Sequence, residues 1–129
     1  DLLERGNALP GSYYAQGAYA RHRNIAATAR LFEEIDVLVL PATPNANIKV
    51  ADFPPSKVAD FDNFPPLLKV TAPFDLNGAP TINLPCGFLP DDAPMAIQFA
   101  GRPGDEVSVL RAAFSYEKAA GWHNRRPKI

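Results

Sequence analysis

The sequence has little cysteine, little net charge and no long apolar run. Cys86 is the single cysteine among 129 residues, so no disulfide forms within the chain, and a reducing compartment fits. The absence of an 18-residue apolar run and of a signal peptide predicts a soluble, cytosolic protein with no membrane partner. The net charge is −1, which argues against nucleic acid or an anionic surface as a partner.

The sequence also lacks an initiating methionine, since its one Met is Met95. Residues 1–6 read as the last turn of a helix that Gly6 ends, which predicts that the chain is a piece of a longer one. A processed amino terminus is the alternative. Proline, in contrast, is abundant: the 14 prolines are about twice the usual share of ~5%.

Helical and strand patterns alternate along the chain, and 47% of its residues are hydrophobic. The order of these patterns predicts an α/β fold in which helices cover a mixed sheet. Three strands are too few for a complete sheet, so we expect the chain to form the edge of a larger structure. In order, the predicted elements are a helix over 13–34 capped by Ser12, a strand over 37–40 covered on both faces, a proline-rich loop over 41–66, a short helix over 67–76 broken or kinked at Pro73, antiparallel strands over 81–84 and 95–99, and a helix over 106–120 between Asp105 and Gly121.

Apolar residues repeat at helical spacing in both long helices and predict their core-facing sides. In the helix over 13–34 the apolar stripe consists of Tyr14, Ala18, Ile25, Ala29 and Phe32. In the helix over 106–120 one apolar line consists of Val107, Leu110 and Phe114, and the adjacent line consists of Val109, Ala113 and Tyr116.

The stretch over 71–88 concentrates turn and strand signals. Asn77 and Gly78 predict a tight turn, and the β-branched and apolar residues after it predict a strand. Pro85, Cys86 and Gly87 are predicted to end that strand. Such a sequence brings the backbone close to the protein core or to a ligand.

Few residues qualify as catalytic candidates. Ser115 and Lys118 match an S-x-x-K pattern, but they share the polar side of the last helix, which a solvated face explains. Cys86 follows an apolar strand and is interpreted as a small, buried, hydrophobic residue rather than a nucleophile. His22 and His123 lie 101 positions apart and predict no metal site. The residues alone predict no complete catalytic set.

Five segments, in order and at fitting distances, together resemble the carboxyl-terminal part of amidase-signature enzymes. The residues 38–44 resemble DVLLTPTTP, 71–80 resemble TAPFNLTGLP, 81–88 resemble AISVPCGF, 95–103 resemble VGLQLVGRP, and 105–123 resemble DEATLLRVAHAYEQATGWH. Each match alone is weak, and the combination is specific.

The resemblance implies one large α/β/α domain that hydrolyses carbon–nitrogen amide bonds with a Ser–cis-Ser–Lys triad, through an acyl-enzyme and without metal or organic cofactor. The triad belongs to the earlier half of such enzymes, so no catalytic residue is assigned here. Residues 1–129 are thus expected to be the carboxyl-terminal segment of a single amidase domain. The segment should pack on the missing amino-terminal part or self-associate, and the intact enzyme should bind a small amide.

The resemblance also places Thr71, Phe74 and Asp75 near the acyl side of the substrate pocket, although packing or turn formation would explain each of them equally well. Asp75 stands where the family often has Asn, which adds a charge. Leu68 stands where the transamidating A subunits usually carry an acidic residue, which favours a free-standing amidase.

Three hypotheses follow for function. The first is a portion of an amide hydrolase that is inactive alone, and the second is a non-catalytic binding or scaffold module derived from the family. The third is a small self-sufficient hydrolase that uses Ser115 and Lys118 or Cys86.

Overall fold

A computed structural model describes residues 2–44, 49, 51 and 68–125 of the chain. The predicted loop over 41–66 therefore falls largely outside the described residues. The elements are helix α1 (Leu2–Ala8), helix α2 (Gly11–Glu34), strand β1 (Val37–Pro41), helix α3 (Ala72–Asn77), strand β2 (Thr81–Phe88), strand β3 (Pro94–Gly101), helix α4 (Glu106–Ala120) and a 3-10 helix (Trp122–Asn124).

The three strands form one sheet in the order β1-β3-β2, and both pairings are antiparallel. The antiparallel pairing of β2 with β3 confirms the prediction from their short connection. The described strands include no parallel pair, so the mixed character expected of the sheet is not found among them. β1 lies at an edge, and Val39 is 47% exposed. The expectation that β1 is covered on both faces is therefore wrong for the described residues.

β2 continues through the residues that were predicted to end it. Pro85 pairs with Ala96, the register then shifts, and Gly87 pairs with Met95. A proline has no N–H for the ladder, but β2 is an edge strand, where this loss is tolerated. Gly87 has φ 144, a conformation that L side chains rarely adopt. The prediction was wrong because the chain absorbs Pro85 and Cys86 in a bulge instead of leaving the sheet.

Helices lie on opposite faces of the sheet. Neighbouring residues of a strand point to opposite faces, so the contacts of two consecutive residues of β3 show which helix lies on which face. Phe99 of β3 packs on Tyr116 of α4, with ring centroids 5.4 Å apart. Ala100, the next residue, packs instead with Phe74 of α3 and with Leu38 of β1. The layers are therefore α4, the sheet, and α3 with α2 behind it, which agrees with the predicted α/β class.

α4 has the bounds that its sequence predicts. The Asp105 carboxylate accepts a hydrogen bond of 3.2 Å from the Ser108 N–H, and Gly121 ends the helix with φ 69. Its inner side is close to the sheet at Gly101, where an added Cβ would collide with the Val109 side chain. Of the two predicted core lines, the one through Val109 and Ala113 is buried and confirmed.

The other predicted core line is wrong for the described residues. Val107 and Leu110 are each 56% exposed and Phe114 is 57% exposed. No described element covers this side of α4. The three residues, here called the α4 stripe, form an apolar surface at the helical spacing of three and four.

The stripe predicted for α2 is also largely exposed. Phe32 is buried as predicted, but Tyr14 is 84% exposed. The helix starts at Gly11, directly after Pro10, so Ser12 lies inside the first turn and is not the cap. The predicted cap at Ser12 is therefore wrong: serine is favoured at that position, but here the extended residue before the helix is Pro10.

Candidate functional site

The residues predicted to border a substrate pocket lie on α3 and at its start. The Thr71 carbonyl accepts hydrogen bonds from the N–H groups of Phe74 (3.0 Å) and Asp75 (3.2 Å). Thr71 is half-buried, Phe74 is 8% exposed and Asp75 is exposed. The structure thus brings all three into one helical turn, where they face different surroundings. Their contact with a substrate stays a prediction.

Phe74 holds α3 against the sheet. Its ring belongs to the core cluster with Ala79 and Ala100, and Leu38 and Leu40 pack against that cluster. This side of α3 is therefore occupied by protein. The polar groups of Thr71 and Asp75 are the ones that a ligand could address, with Phe74 as the anchor beneath them.

Pro73 is the second residue of α3 and does not break it. The helix starts at Ala72, so Pro73 lies in the first turn, where the missing N–H has no intrahelical partner to lose. The helix predicted over 67–76 is therefore broken, as predicted, but at residues 69–71 and not at Pro73, and it has no kink there. Gly78 ends the helix with φ 74, and its N–H donates to the Phe74 carbonyl at 2.9 Å, which confirms the turn predicted there.

A buried amide fixes the turn before α3. Gln98 lies on the central strand, is 1% exposed, and donates from Nε2 to the Val70 carbonyl at 2.9 Å. Sequence reasoning treated Gln98 as an ordinary strand residue. The available signal was a single polar residue in the otherwise apolar run over 95–101, since a buried side-chain amide requires a partner.

A second buried amide fixes the end of α3. The Asn77 Oδ1 accepts from the Ala79 N–H at 2.8 Å, and its Nδ2 donates to the Thr28 hydroxyl oxygen at 2.9 Å. The sequence predicted the turn at Asn77 but not the link to Thr28, which lies 49 positions away. No local signal identifies such a partner.

Cys86 lies at the β2 bulge and lines an apolar groove of about 380 Å³ with Val39, Met95 and Ile97. The thiol is half-buried. Next to it, the Tyr116 hydroxyl donates to the Pro85 carbonyl at 3.2 Å. Burial raises the pKa of Tyr116, and the neighbouring Cys86 adds to that rise. The apolar surroundings fit the interpretation of Cys86 as a hydrophobic residue, but the residue is half-buried and not buried as predicted.

Ser115 and Lys118 each have a partner that a solvated helix face explains. The Ser115 hydroxyl donates to the Arg111 carbonyl of its own helix at 2.9 Å. The Lys118 ammonium lies over the Phe114 ring, 4.6 Å from its centroid. The structure therefore gives no support to Ser115 and Lys118 as a nucleophile and its base.

The described residues contain neither a metal-binding cluster nor a membrane-spanning helix. Across residues 2–44 and 68–125, no three His, Cys, Asp or Glu side chains form a group able to hold a metal ion. None of the helices described there combines the length and apolar character needed to cross a membrane.

Comparison with known proteins relates this arrangement to enzymes that act on amides. The family model described as Amidase matches residues 3–110. An amidase of Pseudomonas putida is 35% identical over 132 residues, covering 99% of this chain and 28% of that protein. The A subunit of the glutamyl-tRNA(Gln) amidotransferase of Brevibacillus brevis is 34% identical over 118 residues, covering 91% of this chain and 23% of that subunit.

Solved structures show the same fold. The 6-aminohexanoate cyclic dimer hydrolase superposes with a TM-score of 0.84 at 26% identity, covering 97% of this chain and 28% of that enzyme. The Thermotoga maritima glutamyl-tRNA(Gln) amidotransferase A subunit has a TM-score of 0.70 at 24% identity, over 87% of this chain and 24% of that subunit. This chain thus spans about a quarter of each relative, and it belongs to the amidase family.

Proposed function

We propose that residues 1–129 are the carboxyl-terminal segment of a single amidase domain, whose parent enzyme hydrolyses the carbon–nitrogen bond of a small amide. The observation that carries the proposal is the superposition on the 6-aminohexanoate cyclic dimer hydrolase, which covers 97% of this chain but 28% of the hydrolase. The match of nearly the whole chain to one region of a larger enzyme supports its assignment as a segment of a comparable domain.

The proposed chemistry is acyl transfer to a serine. The serine oxygen attacks the amide carbonyl carbon, the carbon–nitrogen bond breaks, and the amine leaves with a proton. Water then cleaves the acyl-enzyme to a carboxylate. No Gly-Ser-Ser-Gly segment occurs in this sequence, so the reactive serine and its partners are assigned to the remainder of the domain. The chain alone is expected to be inactive, and no metal or organic cofactor is part of the proposal.

Within the enzyme, α3 is proposed to form a wall of the pocket on the acyl side of the substrate. Thr71 and Asp75 contribute polar groups to this wall, and Phe74 sets the distance between α3 and the sheet. Asp75 replaces an amide with a carboxylate relative to the common family pattern. The negative charge favours substrates that carry a hydrogen-bond donor or a cationic group near the acyl carbon.

A free-standing hydrolase is proposed in preference to a transamidating subunit. Leu68 is half-buried and lies three positions before Thr71, at the position that is usually acidic in the transamidating subunits. An apolar side chain there cannot neutralise an amino group of glutamine. A reducing, cytosolic compartment is part of the same proposal, because the chain's single cysteine forms no internal disulfide.

The α4 stripe is proposed to pack on the remainder of the domain. Val107, Leu110 and Phe114 are each more than half exposed, and burial of such side chains is favourable by roughly 1.5–3 kcal/mol each. This chain covers 28% of the Pseudomonas putida amidase and 23% of the Brevibacillus brevis subunit, so most of the length of each relative lies outside the matched segment. Self-association of the isolated chain would use the same surface.

The test is to express the complete reading frame that contains this sequence, and to compare it with the 129-residue chain. The complete enzyme should release amine from simple amides and form a hydroxamate when hydroxylamine competes with water for the acyl group. The 129-residue chain should do neither. The proposal fails if the short chain hydrolyses amides and Ser115→Ala or Cys86→Ala abolishes that activity.

A further inference from the structure

The seam between α2 and α3 is polar where an apolar contact would be expected. Arg21, Asn24 and Thr28 follow one another at spacings of three and four, so they share one side of α2. Two of the three bond directly to the end of α3. Two helices that pack for stability alone would use apolar side chains here, since these contribute more per contact.

The first bond joins Arg21 to the last turn of α3. The Arg21 Nε donates to the Leu76 carbonyl at 2.7 Å, across 55 positions of sequence. Carbonyls in the last turn of a helix lack an intrahelical donor, and a cation there also interacts favourably with the helix dipole. Arg21 is exposed, so its loss should leave the core of the chain intact.

The second bond comes from a buried amide that is engaged through both of its polar atoms. Asn77 is 8% exposed, and its oxygen and nitrogen are both engaged, by the Ala79 N–H and by the Thr28 hydroxyl. The Thr28 hydroxyl is the partner contributed by α2. Replacing Thr28 with valine would keep the shape of the side chain and leave a buried donor of Asn77 without an acceptor.

α3 cannot hold its own position. It has six residues, fewer than two turns, and no side chain caps its start. A helix this short is unstable without contacts from outside. Phe74 fixes its distance from the sheet, and Gln98 fixes the turn before it. Its far end is held by the two bonds from α2.

We infer that Arg21 and Thr28 are positioning residues for the amide substrate: they hold the far end of α3 and thereby set where Thr71 and Asp75 lie in the pocket wall. This inference rests on the proposed function of α3 as that wall. The chemical step is left to residues elsewhere, so loss of either bond should weaken substrate binding more than it slows turnover.

The test uses the complete enzyme and the variant Arg21→Met. Loss of one charge-assisted bond should raise KM by about fivefold to tenfold, with kcat within about twofold of the parent. Arg21→Lys, which keeps a donor, should recover part of the affinity. Arg23→Met is the matched control, because Arg23 is exposed on the same helix and makes no hydrogen bond or ion pair with α3 among the described residues.

Thr28→Val and Thr28→Ser form a second pair that tests the buried bond. Valine should raise KM to a similar degree, and serine should not. Amide hydrogen exchange gives a readout independent of turnover: the N–H of Gly78, which is bonded to the Phe74 carbonyl, should exchange faster in Arg21→Met and Thr28→Val than in their controls.

The outcomes distinguish the positioning role of Arg21 and Thr28 from the proposed amide hydrolysis. An active enzyme in which Arg21→Met and Thr28→Val match their controls in KM and in exchange overturns the inference and leaves the proposed function standing. An enzyme with no activity on amides overturns the proposed function, and the inference about substrate falls with it. A rise in KM confined to Arg21→Met and Thr28→Val, together with faster exchange at Gly78, supports the inference.

Discussion

Helices α3 and α4 lie on opposite faces of one sheet and are held in opposite ways. The bounds and orientation of α4 are set by residues in or next to the helix: Asp105 caps its start, Gly121 ends it, and Val109 and Ala113 face the sheet. α3 has six residues and takes its position from Gln98 on β3 and from two residues of α2. The helix that is proposed to meet the substrate is thus the one that depends on distant parts of the chain.

The largest effect should come from removing the anchor of α3. Phe74→Ala deletes a buried ring and leaves a cavity beside Ala100, and we expect it to lower the free energy of unfolding by about 3–5 kcal/mol. Urea denaturation followed by circular dichroism measures this. The same substitution on α4, Phe114→Ala, should change the stability of the 129-residue chain by less than about 0.5 kcal/mol, because that ring is 57% exposed.

The Phe114 variant also tests what covers the α4 stripe. In the complete enzyme, where the stripe is proposed to be buried, Phe114→Ala should destabilise by about 3 kcal/mol or more. An equally small effect in both proteins would show that the stripe stays exposed in the enzyme. In the isolated chain, the Phe114 variant should instead reduce self-association in analytical ultracentrifugation.

A smaller effect should follow from Gln98→Leu. This change fills similar space but leaves the Val70 carbonyl without its donor, at an expected cost of about 1–3 kcal/mol. Asn83→Leu is the matched control, since Asn83 pairs with Gln98 across the sheet but is exposed. Equal denaturation midpoints for the two variants would show that the buried amide does not hold the turn before α3.

The smallest effect should appear on acidification, and it should come from α4. Hydrogen bonds from Ser108 lower the pKa of Asp105 below its usual range. The folded state therefore favours the carboxylate, so this contribution is present above the unfolded pKa of about 4 and is lost as the pH falls through the lowered folded value. Asp105→Asn keeps an acceptor that does not titrate. Its denaturation midpoint should vary less between pH 5 and pH 2 than that of the parent chain.

The contrast between the helices also explains what sequence reasoning could reach. The bounds of α4 and the antiparallel pairing of β2 with β3 were predicted correctly because caps, turns and alternation are local signals. The helix predicted over 67–76 was wrong at its start, because Pro73 lies in the first turn of a helix that begins at Ala72, where proline is tolerated. The partners of Asn77 and Gln98 are separated from them by 49 and 28 positions, and no periodicity predicts such pairs.

The errors on exposed surfaces have a different physical cause. The helical periodicity predicted that the α4 stripe faces the core, and its residues are indeed all apolar. Its three residues are nevertheless each more than half exposed among the described residues, with the Lys118 ammonium of the same helix over the Phe114 ring. The family resemblance, carried by five ordered segments, was confirmed by the match over residues 3–110, while the contact of Thr71, Phe74 and Asp75 with a substrate remains a prediction.

The most direct test of the central claim is a map of where a trapped substrate touches the complete enzyme. An acyl donor with a diazirine on its acyl chain would be allowed to form the acyl-enzyme, then irradiated, digested and analysed by mass spectrometry. The account predicts an acylated serine outside residues 1–129 and a photo-crosslink within the peptide that contains Thr71 and Asp75. An acyl group on Ser115 or Cys86, or crosslinks that avoid α3, would contradict it.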